Sequence, residues 1–147
     1  MECFCFSKEE HRLTKQNFIN NFPYLRAFGH EKFLDIKPTS LLLHYNEGIE
    51  ICYVAKGKYE WDVEKEKHIL LPGNGFVTCP WQHHGSAKGF VDLGEIWWII
   101  ISPKIFNKKG KFRLASASGF SEEYERIIGK TLVSNNHPLL YNTNILQ

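Results

Sequence analysis

Long hydrophobic runs are missing from this chain. The longest stretch of large apolar residues is Ile96 to Ile101, far below the roughly 20 residues a membrane helix needs, so no membrane partner is expected. Cysteine is scarce: four residues, irregularly placed, are too few for a disulfide framework. Free thiols fit a reducing compartment instead, and Cys52 and Cys79 read as small buried hydrophobes within apolar strands. The N-terminus lacks a basic start followed by an apolar segment, so no signal peptide is expected and the cytoplasm is the expected location. Charge of one sign is also lacking. Eighteen Lys and Arg stand against 16 Asp and Glu, a net charge of +2, which gives no electrostatic footprint for nucleic acid. The basic run Lys104, Lys108, Lys109, Lys111 and Arg113 brackets Gly110 and reads as a solvated hairpin turn. No nucleophile elbow, Walker loop, dinucleotide glycine pattern or zinc-protease His-Glu pair is present.

What remains is the composition of one compact domain. At 147 residues, 43% hydrophobic and 14% aromatic, the chain can bury a sizeable core, and the many rings suit a barrel filled by side chains. Period-two patterns predict short strands at Lys32–Ile36, Ser40–Tyr45, Ile49–Ala55, Lys58–Val63, Lys67–Leu71 and Gly75–Cys79, with a longer one at Phe90–Ile101. Turns are expected at Asn46–Gly48, Lys56–Lys58, Glu64–Glu66 and Pro72–Gly75. The expected division is a lead-in over 1–31 lying across the barrel or covering its mouth, a β-barrel over 32–116 and helices over 117–147.

On the strand after Gly48, Glu50, Cys52 and Val54 share one face and Ile49, Ile51 and Tyr53 the other. With both faces apolar the strand is expected to be buried on two sides, so Glu50 needs a partner there. Alternation groups Glu95 with Trp97, Ile99 and Ile101, which either aims Glu95 with a tryptophan into the barrel or leaves it wet at the strand end. After Gly119 the period changes. Phe120, Tyr124, Ile127, Ile128 and Leu132 recur at helical spacing, with Ser121 and Glu123 to Glu125 suited to the start. Pro138 then permits a second helix carrying Leu139, Leu140, Ile145 and Leu146, and no terminating signal precedes Gln147.

Two stretches carry candidate chemistry. His44, Asn46, Glu50 and Gly57 run into a strand, and Pro72-Gly73 opens a second strand that ends at Pro80 with His83 and His84 beyond it. An imidazole and a carboxylate converging inside a barrel suit a metal or a polar ligand. The first stretch resembles the first cupin motif, His-x-His, three residues, Glu, six residues, Gly, with Asn46 in place of the second His. The second resembles the other cupin motif through Pro72-Gly73, Pro80 and His84, a spacing that turns His84 inward and His83 outward. Trp81 beside them either stacks on a ligand or caps the core. His11, His30, His68 and His137 lie outside any motif and read as surface residues.

The span from His44 to about Ile101 is similar to the N-terminal effector-sensing domain of AraC-type transcription regulators. The resemblance implies a mainly β, cupin-type double-stranded β-helix, a jelly-roll barrel, followed by one or two C-terminal helices. It implies a small, sugar-like effector held by His44, Glu50, Trp61, Trp81, His84 and Glu95, and a homodimer paired through the tail. DNA would be reached only through a helix-turn-helix domain that these residues do not contain, so specific DNA binding by this chain alone is not expected. The alternative is a free-standing small metal-dependent cupin enzyme, with a divalent metal on His44, Glu50 and His84. Asn46, a poor ligand for a first-row metal, departs from the pattern of such enzymes.

Overall fold

The computed structural model describes residues 2–7, 23–36, 43–106, 111–112, 121–134 and 139–140. Nine strands form two antiparallel sheets among these residues. The larger contains β1 (Glu2–Ser7), β2 (Leu25–Phe33), β3 (Ile49–Gly57), β6 (Gly75–Thr78), β8 (Gly94–Ile101) and β9 (Leu139–Leu140), in the spatial order β1-β2-β8-β3-β6-β9. The smaller is β5 (Glu66–Leu70), β4 (Tyr59–Val63) and β7 (His84–Ser86), in the order β5-β4-β7. A two-sheet antiparallel architecture closed on a shared core, with one C-terminal helix α1 (Glu122–Ser134), is that expected of a cupin-type barrel.

The core lies between the sheets. Cys52, Val54, Phe76 and Ile96 from the larger sheet meet Tyr59, Trp61, Val63 and Leu70 from the smaller one. Strand β4 shows why: its apolar residues alternate with the half-buried Glu60 and Asp62, giving one packed and one wet face. Its hairpin to β5 turns on Glu64 and Lys65, both at positive φ (52° and 72°), the two-residue geometry that matches strand twist. The Asp62 carboxylate accepts a bond from the Lys65 N–H at 2.8 Å. A second cluster covers the outer face of the larger sheet, where Ile49 and Val77 pack with Ile105, Phe112 and Leu132 of α1. Every residue of β6 is therefore buried, since both of its faces are covered.

Several expectations are corrected. The lead-in contains two sheet strands, β1 and β2, and β2 ends at Phe33 instead of beginning near Lys32; residues 8–22, on which the expected cover of the barrel mouth falls, lie outside the described ones. The inward positions of β2, paired with Trp98, Ile96 and Gly94, are Gly29, Glu31 and Phe33, so the strand lacks the hydrophobic alternation that would reveal it. Of the strand expected at Ser40–Tyr45, His44 forms an isolated bridge with His84, and residues 37–42 lie outside the described ones. Leu139 and Leu140 do not open a second helix; they pair with Phe76 and Gly75 and cover the free edge of β6. The remainder of that segment, 141–147, is outside the described residues. Cys79 is exposed rather than buried, while Cys52 is buried as expected. His68 is buried, at 8% exposure, because it faces inward on β5 opposite Trp61.

Helix α1 begins where the sequence indicates, with the Tyr124 N–H donating to the Ser121 hydroxyl and three glutamates in the first turn. Phe106 and Phe112 pair as an isolated bridge; Lys108, Lys109, Gly110 and Arg113 of the expected hairpin turn lie outside the described residues.

Candidate ligand and metal site

Three segments distant in sequence build the site. His44 and His84 exchange backbone hydrogen bonds, each N–H donating to the other's carbonyl at 2.8 Å. Their rings stand 4.5 Å apart. Glu50, the second residue of β3, reaches them from the facing sheet, and the His84 Nε2–H donates to its Oε2 at 3.0 Å. The Nδ1–H of the same ring donates to the Gln82 carbonyl at 2.7 Å. A carbonyl only accepts, so Nδ1 carries a proton, and the Glu50 contact at Nε2 favours the charged, doubly protonated ring. Burial opposes that charge, but the hydrogen bond and charge of Glu50, together with the Gln82 carbonyl, outweigh it and hold the His84 pKa above its ordinary value.

Asn46 explains its own departure from the motif. Its Nδ2 donates to Glu50 Oε2 at 2.7 Å, while its Oδ1 accepts from the Gly48 N–H at 2.8 Å. Where a second motif histidine would offer a lone pair, this amide offers a proton and fixes the carboxylate.

A cavity of about 200 Å³ opens beside the cluster, lined by Glu31, His44, Glu50, Cys52, Trp61, Ile96, Trp98 and Ile100. Of the sequence-predicted residues, His44, Glu50 and Trp61 line it, and His84 joins through its bond to Glu50. Glu95 and Trp81 do not. Glu95 points to the opposite face of β8, where the His30 Nε2–H donates to its Oε1 at 2.9 Å and Lys56 lies 3.2 Å from its Oε2. These two contacts, His30 first, hold its carboxyl below the usual range. His30 is thus no ordinary surface residue: its ring stacks on Trp97 at 4.0 Å. The tryptophan aimed into the barrel is Trp98, which consecutive tryptophans at 97 and 98 conceal, because either phase of β8 looks equally apolar. Trp81 is 58% exposed with φ 66° in the left-handed region, outside the cavity and 5.7 Å from the Tyr45 ring. His83 points outward, its N–H donating to Glu64 Oε1 at 2.6 Å. Sequence reasoning missed Glu31, Trp98 and Gln82; for Gln82 no sequence signal exists, because its backbone carbonyl does the work.

The donor set fits a divalent metal. Ligand atoms of His44, Glu50 and His84 lie within 4.8 Å of one another. Two imidazoles and a carboxylate leave open positions and suit a first-row ion, and the Gln82 carbonyl fixes the His84 ring as outer partners of metal-bound histidines do. Bound ligand atoms stand about 3–3.5 Å apart, so the widest pair must close on an ion.

No protein-family model matches the chain, and no curated protein matches it. Solved structures similar to it are cupins. A predicted oxalate decarboxylase from Thermotoga maritima shares 22% identity at a TM-score of 0.49, over 69% of this chain and 82% of that one. KdgF from Halomonas sp. shares 26% at 0.41, over 55% and 70%. An RmlC-like cupin from Shewanella frigidimarina shares 16% at 0.42, over 55% and 68%. These overlaps are partial, and the architecture is defined by its own strand order. No helix among the described residues is long and apolar enough to cross a membrane.

Proposed function

We propose that this chain is the effector-sensing domain of an AraC-type transcription regulator, cytoplasmic, holding a small polar molecule between its two sheets. The observation that supports it is the cavity itself: two indoles and two isoleucines supply apolar walls, while Glu50 and His44 supply fixed polar groups at one end. A ligand that binds one arrangement of the barrel better than another shifts the regulator toward it, and differential affinity is all that such a switch requires. DNA contact belongs to a separate reading domain, and this chain alone gives no sequence-specific gel shift.

Tryptophan emission tests the reading, because Trp61 and Trp98 both face the cavity. Titration of the chain with a panel of small sugars and polyols is expected to give a saturable change that Glu50→Gln weakens about tenfold. No saturable change with any compound overturns it.

The convergence of His44, Glu50 and His84 favours a second reading, a metal-dependent cupin enzyme. In it these three residues hold a divalent ion, which would supply Lewis acidity at its open positions, while Asn46 and Gln82 fix the Glu50 and His84 side chains. Elemental analysis decides whether metal accompanies the purified chain: the enzyme reading expects a near-stoichiometric divalent ion that His84→Ala removes, and a metal-free sample rejects it.

A further inference from the structure

We infer that Thr78 is a further positioning residue of the metal site, its hydroxyl taking hold of the Glu50 carboxylate once His84 gives its Nε2 to a divalent ion. The inference rests on the second reading above, that His44, Glu50 and His84 hold an ion, and adds a residue that neither motif names.

Thr78 closes β6 and lies opposite Glu50 in the β3–β6 ladder. Residues opposite one another in an antiparallel pair project to the same side of the sheet, with Cβ atoms about 4.5–5.5 Å apart. That side is the inner one. Phe76, two residues earlier on β6, belongs to the core between the sheets, and its ring stands 6.3 Å from the His84 ring. Thr78 therefore stands beside Glu50 in the layer that holds His84. It is wholly buried, at 0% exposure, and its Oγ1 has no hydrogen-bond partner among the described residues.

A buried hydroxyl left unpaired costs free energy that a methyl group in its place would not. Valine has nearly the same shape, suits a strand at least as well, and would fill this position without that cost. The hydroxyl has a use in the state that carries an ion. In the empty site both hydrogen bonds to Glu50 fall on Oε2, from Asn46 and from His84. The Gln82 carbonyl holds Nδ1 of His84, so Nε2 is the atom this ring can give to a metal, and a metal-bound nitrogen has no proton to donate. Glu50 then loses one of its two donors. Ligating carboxylates are themselves held by hydrogen bonds, and Thr78 is the neighbouring donor still unspent. Its bond to a carboxylate is of the charge-assisted, stronger kind.

Zinc titration by calorimetry and urea unfolding of the whole chain provide the test, with T78V and T78S as variants. In chelator, T78V is expected to reach a urea midpoint equal to or above that of wild type, because the empty site makes no use of the hydroxyl. Zinc is expected to bind T78V about tenfold more weakly than wild type. T78S restores the hydroxyl and is expected to recover most of that loss. The inference is overturned, with the metal site left standing, by T78V that binds zinc as tightly as wild type or by T78V that is less stable than wild type in chelator. T78S that binds zinc no better than T78V overturns it too, since the effect then belongs to packing. Wild type that takes up no zinc overturns the metal reading together with it.

Discussion

At His84 two effects of opposite sign meet, and their balance sets how the site answers to pH. Burial disfavours the imidazolium, while the Glu50 carboxylate and the Gln82 carbonyl favour it more strongly, so the folded-state pKa lies above the ordinary 6.5. The stabilisation is therefore complete below about pH 6.5 and is lost as pH rises through the folded-state value. Replacing one partner of a buried pair costs about 3–5 kcal/mol, and here that loss is greatest in acid. Thermal unfolding of wild type and His84→Gln with chelator present, between about pH 5.5 and 8.5, is expected to show midpoints that converge as pH rises; a gap that widens with pH rejects the ion pair. Zn²⁺ competes with the proton for Nε2, so any stabilisation by zinc grows over the same range in which the ion pair fades. His44, Glu50 and His84 were legible because motif spacing names them. Gln82 acts through its backbone, which no side-chain pattern encodes.

Strands β3 to β6 could be read from the sequence because turn residues bracket them and β4 alternates cleanly. Strands β2 and β8 could not be read in full. The inner face of β2 carries Gly29 and the cavity-lining Glu31 beside one core ring, Phe33, and β8 is apolar on both faces, since Ile101 packs outward beneath α1 while Ile96, Trp98 and Ile100 face the cavity. Gly29 ties the two strands together. It pairs with Trp98, and a Cβ at this position would come within 2.5 Å of the indole. Gly29→Ala is expected to push the Trp98 ring into the cavity, shifting its emission and weakening ligand binding about tenfold with the barrel still folded; unchanged emission rejects this contact. Gly57, the last residue of the first motif, has a different task. It sits at φ 94°, and a Cβ there would collide with the Leu93 carbonyl. Gly57→Ala is expected to destabilise the fold by more than about 1 kcal/mol, measured by urea unfolding, without changing the polar groups of the site.

For the molecule as a whole, the helical tail divides its apolar residues between two surfaces. Ile128 and Leu132 pack on the larger sheet, while Tyr124 is 58% and Ile127 47% exposed. The sensor reading carries self-association with it, and the exposed side of α1 is where we place the second copy. Sedimentation across a concentration series is expected to show a dimer that Ile127→Lys shifts toward monomer; a wild-type monomer at every concentration rejects this pairing. Overall architecture was legible because short strands and polar turns recur at regular spacing. The fate of Leu139 and Leu140 was not, because an apolar pair after a proline suits a helix start and a sheet edge equally, and only the open side of β6 decides between them.

The bridge between residues 44 and 84 also governs time. It joins points about forty residues apart, with β3 to β6 in between, and a loop of that length closes favourably only once the strands inside it have paired. We predict that the three groups of the site meet after the main folding barrier has been crossed. Contacts made that late act on the rate of unfolding and leave the rate of folding alone. An occupant bound there works as a clasp on the finished barrel: in stopped-flow measurements it is expected to slow the unfolding limb while the refolding limb stays where it is, lengthening the life of each folded molecule without hastening the birth of the next.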